Sequence, residues 1–305
     1  LANCPFQFYL RHVLKLEPTE EPEELDEDYT ARGQLIHAAL EKMHLALHRS
    51  NQPDVPLTRL VHEVVELFVE RELEGWLPPA SDVDEGLRAI ESERLRRTGR
   101  RYARQFEEYQ KKLGQGATCQ QCEVEFGRPN ADFPALRLGN ENDGLGLQGM
   151  IDRIDTVEVD GSTLFRVIDY KTGSCPGRGE LNAGLALQLP LYALAVERLI
   201  LADVGAEPFD VGYWGLRDKG FRPIDQRIKI RSKGTSVDEN WAQNLQAAET
   251  FVVELVKRLR AAEFPVAPRK DQCTRTCEYK NVCRIGQVRV LKKTWVDAPA
   301  LKRST

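Results

Sequence analysis

No stretch of this 305-residue chain is apolar enough to span a bilayer; the best candidate, residues 185–202, is interrupted by Gln188, Glu197 and Arg198, which predicts no membrane segment. No secretory leader is expected from its opening residues either. The sequence opens Leu-Ala-Asn-Cys-Pro rather than with Met, as expected of a piece of something longer. It contains no Gly-x-x-x-x-Gly-Lys-Ser/Thr loop, which excludes a P-loop nucleotide motor within these residues. Internal repeats and low-complexity tracts are absent. A surplus of positive charge is also missing, since 47 Asp and Glu outnumber 43 Lys and Arg for a net charge of −4. That deficit is local. Residues 17–28 hold eight acids and no base, and the remaining residues carry 39 acids against 43 bases. The balance therefore does not exclude a polyanionic partner. The acidic run, with Pro18 and Pro22, reads as a solvated loop without a site.

What is present suits one large domain or two small ones, and 41% apolar residues can bury a substantial core. The seven cysteines are an odd and uneven set: Cys4 near the start, Cys119, Cys122 and Cys175 in the middle, and Cys273, Cys277 and Cys283 near the end. Clustered cysteines in a chain of this size suggest metal ligation and a reducing, cytoplasmic location rather than a disulfide framework. Cys273-x₃-Cys277-x₅-Cys283 is a compact ligand triad with no fourth partner nearby. Cys119-x₂-Cys122 has metal spacing but no second pair, so these two and Cys175 are expected to be reduced structural thiols.

Apolar periodicity predicts a short helix over 4–16, helices over 31–48, 57–75 and 84–113, and strands over 122–127, 145–157 and 164–170. A helix over 184–202, strands over 209–216 and 224–230, and a helix over 237–262 complete the order. Such an alternation is an α/β layout in which the helix at 184–202 crosses over a mixed sheet. Two strands stand out. Gly149-Met-Ile-Asp-Arg-Ile-Asp155 ends one apolar run, and Asp169-Tyr-Lys171 ends the next, with an Asp160-Gly161 hairpin turn between them. Antiparallel pairing brings Asp152 and Asp169 together at one sheet edge, where two carboxylates call for a hard cation. Lys171 lies two residues past Asp169, on the same face. Two carboxylates and a lysine around a divalent ion can activate water for attack on a phosphate. Arg153 and Asp155 are expected to form a salt bridge.

Gly-x-x-Asp-Arg-x-Asp followed by Asp-Tyr-Lys-Thr-Gly resembles the PD-(D/E)xK nuclease superfamily, closest to its RecB-like branch, which includes AddB subunits and CRISPR-associated nucleases. The resemblance implies a restriction-endonuclease-like core of order αβββαβ, with an N-terminal helical insertion and a C-terminal cysteine cluster. It implies one nuclease domain over 1–305: a mainly helical part (1–118), a catalytic core (119–235), and a final helix, cysteine cluster and tail (236–305). Gly33-Gln-Leu-Ile-His37 with Glu41 resembles the branch's helical motif, whose histidine is a metal ligand. Glu123 in Glu-Val-Glu-Phe-Gly127 resembles its strand ahead of the Asp motif, with Glu125 an alternative in phase. Gln188-Leu-Pro-Leu-Tyr192 matches its Gln-x-x-x-Tyr helix, although Pro190 inside a helix suggests a kink or a later start.

By this resemblance His37, Asp152, Asp169 and the Tyr170 carbonyl hold Mg²⁺ or Mn²⁺, Lys171 orients the attacking water, and Glu123, Gln188 and Tyr192 complete the catalytic set. The products usual in the family carry a 5′-phosphate and a 3′-hydroxyl. Cys4 resembles the remote cysteine of branch members that hold an iron–sulfur cluster, so Cys4, Cys273, Cys277 and Cys283 are implied ligands of a 4Fe–4S cluster, with structural zinc as the alternative. DNA is the implied substrate, and a helicase or helicase–nuclease subunit the implied partner in a repair or recombination system. Exonucleolytic action is implied as well. Two other readings compete: a catalytically silent DNA-binding scaffold and a zinc-stabilised interaction module. Arg94, Arg97, Arg101 and Arg104 form a row at helical spacing that could follow a DNA backbone or remain a solvated, Glu-paired face.

Overall fold

The computed structural model describes residues 1–17, 29–49, 66, 81–112, 118–140, 144–159, 161–217, 220–231, 234–268 and 277–283. The expected helix over 57–75 lies outside these residues, apart from Glu66. Near the start, Pro5 opens α1 (Pro5–Phe8), which runs into a π-helical turn over Tyr9–Val13. The long helices α2 (Tyr29–Arg49) and α3 (Asp82–Lys112) match their apolar spacing within a few residues.

Five strands build the central sheet: β1 (Thr118–Phe126), β4 (Gly149–Val159), β5 (Ser162–Lys171), β6 (Glu207–Gly215) and β7 (Gly220–Gln226), in spatial order β1-β4-β5-β6-β7. β5 and β6 are parallel and the other neighbours antiparallel, so the sheet is mixed as expected. The β5–β6 connection carries α4 (Arg178–Asn182), α5 (Gln188–Ala195) and a π-helical turn over Val196–Ile200. A parallel pair requires a crossover of this kind. The order α2, β1, β4, β5, α5, β6 reproduces αβββαβ.

Some boundaries differ from the sequence reading. The stretch 145–157 divides into β3 (Leu145–Leu147), paired with the short β2 (Leu136–Leu138) in a separate ribbon, and β4. β4 begins at Gly149, a position that suits glycine because a Cβ there would sit 2.8 Å from the Phe126 ring and 3.2 Å from Tyr192. The stretch 224–230 likewise divides between β7 and β8 (Ile228–Arg231), and β8 pairs with β9 (Gly234–Val237). That ribbon takes up the start of the expected final helix, which becomes α6 (Trp241–Arg260) behind Asn240. The short α7 (Lys280–Cys283) follows.

Of the two outcomes expected of Pro190 the later start is found, since α5 begins at Gln188 and not at residue 184. Pro190 is the third residue of α5, in the first turn, where a backbone N–H has no intrahelical acceptor to lose. β5 shows how the alternation of side chains divides the interior. Phe165 and Val167 join the core formed with Leu189, Ala193 and Val196 and with Trp241 and Leu245 of α6. Ile168 and Tyr170 join the core formed with Ile36, Leu40 and Met43 of α2 and Tyr102 and Phe106 of α3. Helices thus cover both faces of a sheet whose central strand is buried on each.

Candidate active site

Antiparallel pairing of β4 and β5 ends at Arg153↔Ile168. One step further the register sets Asp152 opposite Asp169, the juxtaposition read from sequence. There the ladder is replaced by a side chain: Tyr170 N donates to Asp152 Oδ2 at 2.7 Å. The bond satisfies a buried amide and fixes one oxygen of Asp152, which is only 5% exposed. Its other oxygen lies 3.5 Å from His37 Nδ1, and Glu123 Oε1 lies 3.7 Å from the same nitrogen. The ligand atoms of His37, Glu123 and Asp152 all fall within 4.8 Å of one another. α2 therefore brings its histidine over the sheet edge formed by β1 and β4.

Glu123 owes its place to the backbone. Its φ of 50° is unusual for a residue with a side chain. Glu125, the alternative in phase, is engaged with Arg128 at 2.6 Å. On β5, Asp169 and Lys171 continue the phase of Phe165 and Val167. Lys171 Nζ lies 2.6 Å from Asp169 Oδ2 and donates to Gln188 Oε1 at 3.2 Å. Gln188 Nε2 donates in turn to Tyr192 Oη at 3.3 Å, the i,i+4 contact expected on α5. The Tyr213 ring lies 5.5 Å from Lys171 Nζ. The sequence-identified side chains His37, Glu123, Asp152, Asp169, Lys171, Gln188 and Tyr192 are thus gathered at one end of β4 and β5.

The charges of this group do not balance. Burial, then the charge of Asp152, raises Glu123 to about 7. The same two causes raise Asp169 to about 6 against the opposing pull of Lys171. Burial works to lower His37, but its contact with Asp152 and the charge of Glu123 outweigh that and hold it above its ordinary value. Three crowded carboxylates with too little counter-charge, two of them beside an imidazole nitrogen, fit a divalent cation by both donor type and electrostatics.

Beneath lies a network that sequence reasoning missed apart from the Arg153–Asp155 pair. Arg153, with no exposure, makes a bidentate contact with Asp155 at 2.5 and 2.7 Å. It also reaches His44 Nε2 at 2.9 Å and Tyr102 Oη at 3.0 Å. Tyr102 and Tyr170 hydroxyls meet at 3.0 Å. Tyr109 links Asp155, at 2.6 Å, to Arg166, at 2.8 Å, and Arg166 pairs with Asp210. Burial and Arg153 hold His44 neutral. One signal pointed to His44: it lies two helical turns after His37, on the same side of α2.

The arginine row is largely engaged within the chain. Arg94 contacts Glu91 at 2.7 Å, Arg97 contacts Glu93 at 3.0 Å, and Arg101 donates to the carbonyls of Leu216 and Arg217. Of the cysteines, Cys273 lies outside the described residues, while Cys4, Cys277 and Cys283 are half-buried. The segments that carry them adjoin: Tyr279 Oη donates to Leu16 O at 2.8 Å, Arg11 lies 3.7 Å from Glu278, and the Tyr9 and Phe264 rings are 4.8 Å apart. No helix among the described residues is long and apolar enough to cross a membrane.

The chain is 28% identical over 252 residues to a subunit of the ATP-dependent helicase/deoxyribonuclease of Listeria welshimeri, covering 80% of this chain and 20% of that protein. To the like-named protein from Moorella thermoacetica it is 30% identical over 282 residues, 88% of this chain and 23% of the relative. A 101-residue stretch is 40% identical to the like-named protein of Listeria innocua, covering 32% of this chain and 9% of that protein. Across its longer matches, then, the chain spans about a fifth of these relatives. A family model for the PD-(D/E)XK nuclease superfamily matches residues 1–284, and with nearly the whole sequence matched, the chain belongs to that superfamily.

Proposed function

We propose that this chain is the nuclease domain of a helicase–nuclease system and hydrolyses phosphodiester bonds in DNA with Mg²⁺ or Mn²⁺. The observation that carries the reading is the convergence of His37, Glu123 and Asp152 beside the Asp169–Lys171 pair. His37, Asp152, Asp169 and the Tyr170 carbonyl, joined by Glu123, are the groups that would hold the ion. When bound, a divalent metal supplies a water of lowered pKa and neutralises phosphate charge. Lys171 orients the attacking water by a hydrogen bond and stabilises negative charge building on the phosphate. Gln188, backed by Tyr192, accepts from the lysine that Asp169 also contacts. Tyr170 N keeps the Asp152 carboxylate turned toward His37.

The reading carries with it DNA as substrate, end-dependent cleavage, a helicase partner and a cytoplasmic place of action. The names of the relatives support DNA as substrate and a helicase partner. The same proposal makes Cys4, Cys273, Cys277 and Cys283 the ligands of a 4Fe–4S cluster, which the contact between the N-terminal and C-terminal segments favours. The test is cleavage of end-labelled linear and circular DNA by anaerobically purified protein across Mg²⁺ and Mn²⁺ concentrations. We expect metal-dependent shortening of linear DNA, abolished by chelation. A protein that binds DNA and cleaves neither form at any metal concentration would be the silent scaffold instead. Visible absorbance near 400 nm distinguishes the cluster from zinc.

A further inference from the structure

Cys119 and Cys122 belong to neither the acidic site nor the terminal cysteine set. Three residues apart on a regular strand, they would point to opposite faces. β1 is not regular there. Cys119 pairs with Asp155 and Gln121 with Ile154, so Gln120 is an extra residue without a partner on β4. Such a bulge reverses the alternation that follows it. Cys119 and Cys122 consequently stand opposite Asp155 and Arg153, which lie two apart on β4 and share a face. The two sulfurs touch, with Sγ–Sγ at 2.9 Å. Both thiols are reduced and half-buried, and β1 is an edge strand of the five-stranded sheet. The residue after Cys122 is Glu123, whose positive φ carries its carboxylate toward His37.

We propose that Cys119 and Cys122 form a reversible redox site, in which a peroxide or a small-molecule disulfide oxidises the pair to a disulfide that displaces Glu123. With hydrogen peroxide, one cysteine as its thiolate attacks an oxygen, the O–O bond breaks, and a sulfenic acid and one water result. The second sulfur then attacks the sulfenic sulfur, forming the S–S bond and releasing a second water. The two thiols lose two electrons and two protons in all, and the peroxide is reduced to two waters. With a disulfide oxidant the same two electrons release two small thiols through a mixed disulfide. Bond formation draws Cys122 toward Cys119 and fixes the bulge. Glu123 shares a peptide bond with Cys122, so its carboxylate moves relative to His37 and Asp152. The consequence for metal affinity rests on the reading of His37, Glu123 and Asp152 as an ion site.

The test uses the full chain, reduced with dithiothreitol and then exposed to hydrogen peroxide in slight excess. Peptide mapping after thiol alkylation should find Cys119 and Cys122 joined, and dithiothreitol should restore both to alkylation. Calorimetric titration with Mn²⁺ should show affinity about tenfold weaker in the oxidised protein, as for loss of a residue that supports a metal ligand, and recovery on reduction. Cys119→Ser and, separately, Cys122→Ala should keep their Mn²⁺ affinity through the same peroxide treatment. Both cysteines remaining alkylatable, or carrying sulfinate in place of a bond, would overturn the proposal. So would a disulfide with unchanged Mn²⁺ affinity, or equal peroxide sensitivity in both variants. A reduced protein that binds no Mn²⁺ would sink the ion-site reading and the coupling with it, while mapping still decides whether the disulfide forms.

Discussion

Two charged clusters meet around Asp152–Asp155 and Tyr170, built from similar side chains to opposite ends. On the side of α2 and α3, Arg153 and Arg166 face Asp155 and Asp210, with tyrosine hydroxyls and His44 taking further contacts. Cation matches carboxylate there. At the strand ends Glu123, Asp152 and Asp169 are faced, among the described residues, by Lys171 and a titratable imidazole. The first cluster supplies its own counter-charge and so can be sealed from water. In the second, Glu123 and Asp169 are held above the usual carboxylate range until something positive arrives. One is built to stay closed and the other to receive.

The largest effect should come from breaking the balanced cluster. Arg153→Ala leaves Asp155 buried without its partner, and removing one member of a buried pair costs about 3–5 kcal/mol. Chemical denaturation should show a loss of that size, a large part of the roughly 5–15 kcal/mol that holds a domain together. Retention of wild-type stability would mean the cluster is not a closed unit. In the receptive cluster, Lys171→Ala should lower the proposed cleavage rate by about 10²–10³, with melting and DNA affinity little changed. Asp152→Asn should follow, weakening Mn²⁺ binding by at least about tenfold while the amide oxygen still accepts from Tyr170 N. Unaltered metal dependence in that variant would remove Asp152 from the site.

A smaller effect separates the clusters by pH. A carboxylate whose pKa is raised on folding stabilises the folded state below its unfolded value, and that contribution is lost as pH rises through the folded value. For Glu123 the window runs from 4.5 to about 7, and for Asp169 from 3.8 to about 6. The raised pKa of His37 has the same sign. Metal-free protein should therefore melt lower at pH 7.5 than at pH 5.5, and Mn²⁺ should raise melting most at the higher pH. A melting temperature flat across that range, with and without Mn²⁺, would contradict the imbalance. The smallest effect belongs to the solvated face of α3, where Arg97→Ala should leave the melting temperature unchanged because its contact with Glu93 is exposed.

Legibility in the sequence followed the same division. Asp152, Asp169 and Lys171 could be read because period-two alternation and one hairpin fix their relation over a short span. Gln188 and Tyr192 could be read because i,i+4 spacing does the same on a helix. The network around Arg153 could not, apart from its bond to Asp155: its contacts with His44 and Tyr102 join residues 109 and 51 apart. No local period records such pairings. Glu125 stayed open as an alternative to Glu123 because the choice between them depends on a backbone angle. The shared face of Cys119 and Cys122 was hidden for a related reason, since one unpaired residue undoes the alternation on which the reading relied.

Pro190 has one more consequence. In an α-helix the N–H of residue 190 would bond to the carbonyl of residue 186, and proline has no such hydrogen. The helix that carries Gln188 and Tyr192 can therefore not wind backward past its present first turn without losing a bond and meeting the pyrrolidine ring. The proline acts as a backstop. Residues 183–187 stay a spacer of constant length between the end of α4 and Gln188. A residue added to that spacer should be taken up as slack on the near side of the stop, leaving Gln188 in reach of Lys171. The same insertion just after Pro190 would turn Tyr192 about 100° around the helix axis, given 3.6 residues per turn, and part it from Gln188.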